Sequence, residues 1–129
     1  MPAGEGFSPR QQDEINRAIE LAGRQTGLTY VAYVGPATDD PRAFARKTLA
    51  GLPDPDRSVL VVVDPDGRLL EIVAGSVAAR DVDDRACALA AATMTSSFAA
   101  GDLAGGIASG ILLLGEHARQ PRSLHLDNP

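Results

Sequence analysis

The 129-residue chain has no tryptophan, and only three phenylalanines and two tyrosines, so aromatic side chains make up 4% of it. Its core must therefore be built from Val, Leu, Ile and Ala. One cysteine, Cys87, excludes an internal disulfide and a cysteine-based metal site. That residue reads as a small buried hydrophobe. One lysine stands against eleven arginines, and five glutamates against twelve aspartates. This bias, together with heavy use of alanine, points to a GC-rich bacterial coding sequence. The net charge of −5 works against binding to nucleic acid or anionic lipid. The longest weakly charged apolar run, Leu103 to Gly115, is 13 residues, short of the roughly 20 needed to span a bilayer. No membrane span is expected. The N-terminus, MPAGEGFSPRQQDEI, has no basic patch followed by an apolar stretch, so a cytoplasmic location is expected.

The length suits one domain with a single core. Residues 1–6 read as a flexible lead-in, 7–118 as the domain and 119–129 as a polar, disordered tail. Ser8-Pro9-Arg10-Gln11 combines a capping serine, proline at the first helical position and glutamine at the third, which predicts a helix over Pro9–Thr26 closed by Gly27. Leu28 to Val34 is largely β-branched and aromatic, a strand stopped by Gly35-Pro36. Asp40-Pro41 repeats the cap-and-proline start for a second helix to Ala50. Ser58-Val59-Leu60-Val61-Val62-Val63-Asp64 is a continuous apolar run, the pattern of a strand buried on both faces and parallel to the first. Pro65-Asp66-Gly67 turns the chain into an antiparallel strand, Arg68–Ala74. An alanine-rich helix from Val82 to Phe98, opened by Asp83 and Asp84, precedes a last helix from Asp102 to about Ala118. The predicted fold is α/β, a layered sandwich with a small mixed sheet of three or four strands and about four helices, in the order α-β-α-β-β-α-α.

Each glycine inside the last helix costs roughly 1 kcal/mol relative to alanine. Gly106 and Gly110 therefore imply a close neighbour, either the sheet or another helix. Asp102, after Gly101, reads as a helix cap.

Parallel strands that end at Gly35 and Asp64 place Asp39, Asp40, Asp64 and Asp66 at one end of the sheet, with Asp54, Asp56, Asp81, Asp83 and Asp84 at the other. Clustered carboxylates suit hard cations, so Asp39, Asp40 and Asp64 are the candidate ligands for Ca²⁺ or Mg²⁺, although no cofactor is required. Local uses compete: Asp40 suits a cap, and Asp66-Gly67 suits a turn. DPDG is not an EF-hand start, because Arg68 takes the third ligand position between strands. Arg42, Arg46 and Arg68 are placed near the Asp64 end as solvated charges, and His117 and His125 as exposed polar groups.

Three stretches together carry a family resemblance: GFSPRQQDEINRAIELAGRQTGLTYVAYV, SVLVVVD and Phe98-Ala99-Ala100-Gly101-Asp102. Over about Gly6 to His117 the chain resembles the TPM domain family, which includes thylakoid-lumen, receptor-modulator and bacterial envelope proteins, and within it a soluble actinobacterial branch. The tryptophan-glycine step often found before the central strand is missing, and Arg57 precedes SVLVVVD. The resemblance implies calcium binding and acid phosphatase activity, both described for some members. No catalytic signature is present, and the expected function is a non-catalytic interaction module for a protein partner, modulated by a divalent cation. The alternative is a metal-assisted, phosphatase-like hydrolase using Asp39, Asp40 and Asp64. Oligomeric state is left open.

Overall fold

The first helix, α1 (Pro9–Thr26), starts where its local chemistry dictates. In the computed structural model, which describes residues 6–38 and 40–119, the Ser8 hydroxyl accepts from Gln11 N–H at 3.2 Å while Ser8 N–H donates to the Gln11 side chain at 2.9 Å. This reciprocal capping satisfies two amide donors that the first turn leaves unpaired. Gly27 ends the helix at φ +76°, a conformation that costs glycine little. The lead-in before residue 6 and the tail after residue 119 lie outside the described residues.

The remaining elements are β1 (Thr29–Val34), α2 (Pro41–Ala50), β2 (Ser58–Asp64), β3 (Leu69–Ala74), α3 (Asp84–Ala99) and α4 (Leu103–Arg119). Among the described residues the sheet has three strands, in the order β1-β2-β3. Thr29 to Val34 run parallel to Ser58 to Val63, and Val59 to Asp64 run antiparallel to Ala74 to Leu69. This is the expected small α/β fold with a parallel pair plus a hairpin. Central β2 is buried at every residue, as its unbroken apolar run requires. Its side chains alternate between two cores. Val59, Val61 and Val63 join Ile15, Met94, Ile107 and Ile111 on one face, whereas Leu60 and Val62 join Ala45 and Leu49 of α2 on the other. The molecule is thus a three-layer sandwich, with α2 on one face of the sheet and α1, α3 and α4 on the opposite face.

The glycines of α4 meet helices rather than the sheet. A Cβ on Gly106 would approach the Phe98 ring and Ser97 Cβ at 2.8 Å, one on Gly110 would overlap Met94, and one on Gly115 would lie 2.9 Å from Ala22 Cβ. The glycines therefore let α4 press between α3 and α1, which recovers the helix propensity they lose through close contact. Asp102 is the cap expected from the sequence, since its carboxylate accepts from Gly105 N–H at 2.9 Å. No helix among the described residues is long and apolar enough to cross a membrane.

Candidate functional site

Two regions concentrate polar side chains. The first is the end of the sheet that carries Asp64. There the Asp64 carboxylate accepts from Ala37 N–H and from Gly67 N–H, each at 3.1 Å, and so ties the β1–α2 loop to the β2–β3 turn. These backbone donors, Ala37 first and Gly67 next, hold its pKa below the ordinary aspartate value. The loop ends do gather here, as the topology required. Asp40 uses its carboxylate to cap α2 at Ala43 N–H, 3.1 Å away. Asp39 lies outside the described residues. Among the described residues, no group of three or more His, Cys, Asp or Glu side chains stands close enough to hold a metal ion. In the turn the left-handed residue is Arg68, at φ +55°. Gly67 sits tight against Asp64, where an added Cβ would come within 3.1 Å of the carboxylate. Arg68 borders a cavity of about 590 Å³ that Asp64, Phe98 and Leu103 also line.

The second region is a groove of about 540 Å³ along the outer side of β3, between α2 and α3. Its α2 lip carries Arg42 and Arg46, and its α3 wall carries Asp83, Asp84, Cys87 and Ala88. Among the described residues β3 pairs only with β2, and its other side borders this groove. Arg42 Nη1 donates to the Glu71 carboxylate and to the Ile72 carbonyl, both at 3.1 Å. Asp83 caps α3 through Ala86 N–H at 2.9 Å. Cys87 is half-buried; burial pushes its thiol pKa up, the Asp84 carboxylate adds to the rise, and the more favourable influence of Arg42 does not offset them. The side chain is therefore a neutral thiol at neutral pH, poorly suited to nucleophilic attack.

The sequence reading placed Arg42, Arg46 and Arg68 together near Asp64, and the structure separates them. Arg68 stays beside Asp64, while Arg42 and Arg46 line the β3 groove with Glu71. The groove itself was not anticipated. Its one sequence signal was the pair of arginines four residues apart on α2, which lie on one helix face.

A family described as "Domain of unknown function (DUF5130)" matches residues 2–115. The chain is 31% identical over 100 residues to an uncharacterized protein of Mycobacterium tuberculosis, Rv2468c in strain H37Rv, covering 78% of this chain and 60% of that protein. It thus spans less than two thirds of the relative's length. Among solved structures, the BA42 protein of Bizionia argentinensis superposes with a TM-score of 0.79 at 17% identity, over 90% of this chain and 83% of that one. The N-terminal domain of the cg2496 protein of Corynebacterium glutamicum gives 0.75 at 15% identity, over 95% and 82%. At these identities the likeness is one of fold.

The family match overturns the resemblance to the TPM domain family, because the family found is DUF5130. The three stretches behind that resemblance report architecture: a capped helix, a strand buried on both faces and a helix-to-helix step. In the last of these, Gly101 turns the chain at φ +86°, Asp102 caps α4 and Phe98 packs on Gly106. Local geometry of this kind selects such residues whatever the lineage.

Proposed function

The chain belongs to the DUF5130 family, and on that premise we propose that it is a non-catalytic module that binds a protein partner in the groove between α2 and α3. One observation carries the reading: among the described residues β3 has a single partner strand, and its other side opens on a groove of about 540 Å³ with cationic and anionic walls. An open strand edge is a template for pairing that a chain must either protect or use. Here the neighbouring space is large enough to admit side chains, and its walls mix charged groups with the apolar Leu70 and Ile72, the composition of an interaction surface. The raised pKa of the Cys87 thiol makes this groove residue a poor nucleophile at neutral pH.

Co-purification from the native cell tests the reading. Ala88, exposed on the groove wall, is changed to Arg and compared with the unaltered chain. The expected result is a partner recovered with the unaltered chain and lost with Ala88→Arg, at an unchanged melting temperature. Equal recovery with both chains contradicts the reading. So does turnover of a generic phosphate ester by the purified chain, which would point to a hydrolase.

A further inference from the structure

Resting on the binding role proposed above, we infer that the β3 edge receives an extended peptide as a fourth strand, one with acidic side chains on its α2-facing side and small apolar side chains on its α3-facing side. The register supplies the backbone half of the argument. Gly75 N–H donates to Ser58 O at 2.9 Å, and antiparallel pairing alternates bonded with non-bonded positions. Counting back from Gly75, residues Val73, Glu71 and Leu69 bond to β2. Leu70, Ile72 and Ala74 consequently turn their N–H and C=O groups outward. Arg42 confirms this direction, since it reaches the Ile72 carbonyl from the groove at 3.1 Å. A side-chain donor thus stands where the N–H of an added strand would lie. The Arg42–Glu71 pair that holds it there is solvent-accessible on both partners, at 52% and 27%, and pairs of this kind are weakly held. The guanidinium can leave Ile72 for an incoming carboxylate.

The walls supply the side-chain half. Successive side chains of an added strand point to opposite faces of the sheet. Those on the α2 face meet Arg42 and Arg46, and exposed Arg46 makes no ion pair among the described residues. Those on the α3 face meet Cys87, Ala88 and Ala91, whose small side chains leave room for valine-sized groups. Asp83 and Asp84 on that wall repel an acid placed there. Peptides bind strand edges in this manner, with main-chain hydrogen bonds giving affinity and alternate side chains giving selectivity.

A second copy of the chain is the poorer occupant. Two β3 edges pairing antiparallel are related by a two-fold axis normal to the sheet, which keeps α2 on the same face in both copies. Arg42 and Arg46 of one copy would then face the same arginines of the other. Like charges opposed across strands are destabilising.

Two acetylated peptides test the inference on the full chain, one alternating valine with glutamate and the other valine with lysine. Calorimetric titration is expected to show the glutamate peptide binding at least about tenfold tighter, with Arg46→Glu reversing the preference. Hydrogen exchange at Leu70, Ile72 and Ala74 should slow in the complex. Methylating alternate peptide nitrogens should abolish binding in one phase and spare it in the other. Unchanged exchange at these three amides with peptide in excess, or equal binding of the two peptides, overturns strand addition. If a native partner is still lost with Ala88→Arg while the amides remain unprotected, strand addition alone falls and the interaction role stands. If neither is seen, both fall.

Discussion

The Met94 side chain fills the space that a Cβ on Gly110 would occupy, so α3 and α4 approach each other at a glycine of one and a flexible thioether of the other. Alanine at Gly110 gains about 1 kcal/mol of helix propensity, yet the overlap involves Met94 Cγ at 2.6 Å as well as the chain terminus. Overpacking costs of roughly 1–3 kcal/mol therefore prevail. Gly110→Ala is expected to lower stability in urea unfolding, and Met94→Ala to do so by creating a cavity. The double variant should be less destabilised than the sum, with a coupling of about 0.5–3 kcal/mol. Simple additivity would mean that the two residues do not share this space.

Gly75 is constrained by backbone, which cannot rotate away. A Cβ there would overlap the Pro55 carbonyl and lie 2.6 Å from that of Asp56. Gly75→Ala is expected to cost at least about 3 kcal/mol, the upper end of overpacking effects. Gly51 is the control: an added Cβ finds only ordinary contacts, the nearest at 3.6 Å. Gly51→Ala should be neutral or stabilising by up to about 1 kcal/mol. Thermal unfolding of the two variants ranks them.

Asp64 makes part of the stability depend on pH. Its folded pKa lies below the ordinary 3.8 because Ala37 and Gly67 N–H groups bond the charged form. The unfolded chain therefore binds the proton first, and the contribution is present in full above the ordinary carboxylate range. It is lost as pH falls from about 4 through the lower folded value. Asp64→Asn is expected to reduce the melting temperature at pH 7 and to flatten the acid limb of its pH profile. An unchanged acid limb would assign that limb to other carboxylates.

Cys87 should behave as a reluctant thiol. Burial and the Asp84 charge raise its pKa above the ordinary 9.0, so alkylation by iodoacetamide at pH 7 is expected to be slower than for free cysteine. The rate should continue to climb beyond pH 9. Removing the nearby carboxylate with Asp84→Asn should move the curve toward lower pH. Fast alkylation at pH 7 would show that the thiolate is stabilised instead.

Most of the fold was legible because its signals are local. The Ser8–Gln11 capping box, the Asp40 and Asp83 caps and the Asp102 cap each act within three residues, and β2 declared its burial by an unbroken apolar run. The turn at Pro65-Asp66-Gly67 was legible as a turn, whereas the left-handed conformation of Arg68 was not. The groove was barely legible, its one signal being two arginines four residues apart on α2. Arg42 bonds Glu71 and Ile72, 29 and 30 residues away, and no periodicity within either segment records that encounter.

The sequence by itself determined, to within a residue or two, where helices and strands begin, which strand is central and that α4 needs a close neighbour, because caps, alternation and glycine act through the backbone of the segment that carries them. Only the tertiary structure decided that this neighbour is α1 and α3, that Asp64 bridges to Ala37 across 27 residues, and that two arginines of α2 stand at the open edge of β3. Those outcomes depend on where α2 crosses the sheet and on how three helices share its opposite face. Such relations are set by packing between segments, and a single segment carries no record of them.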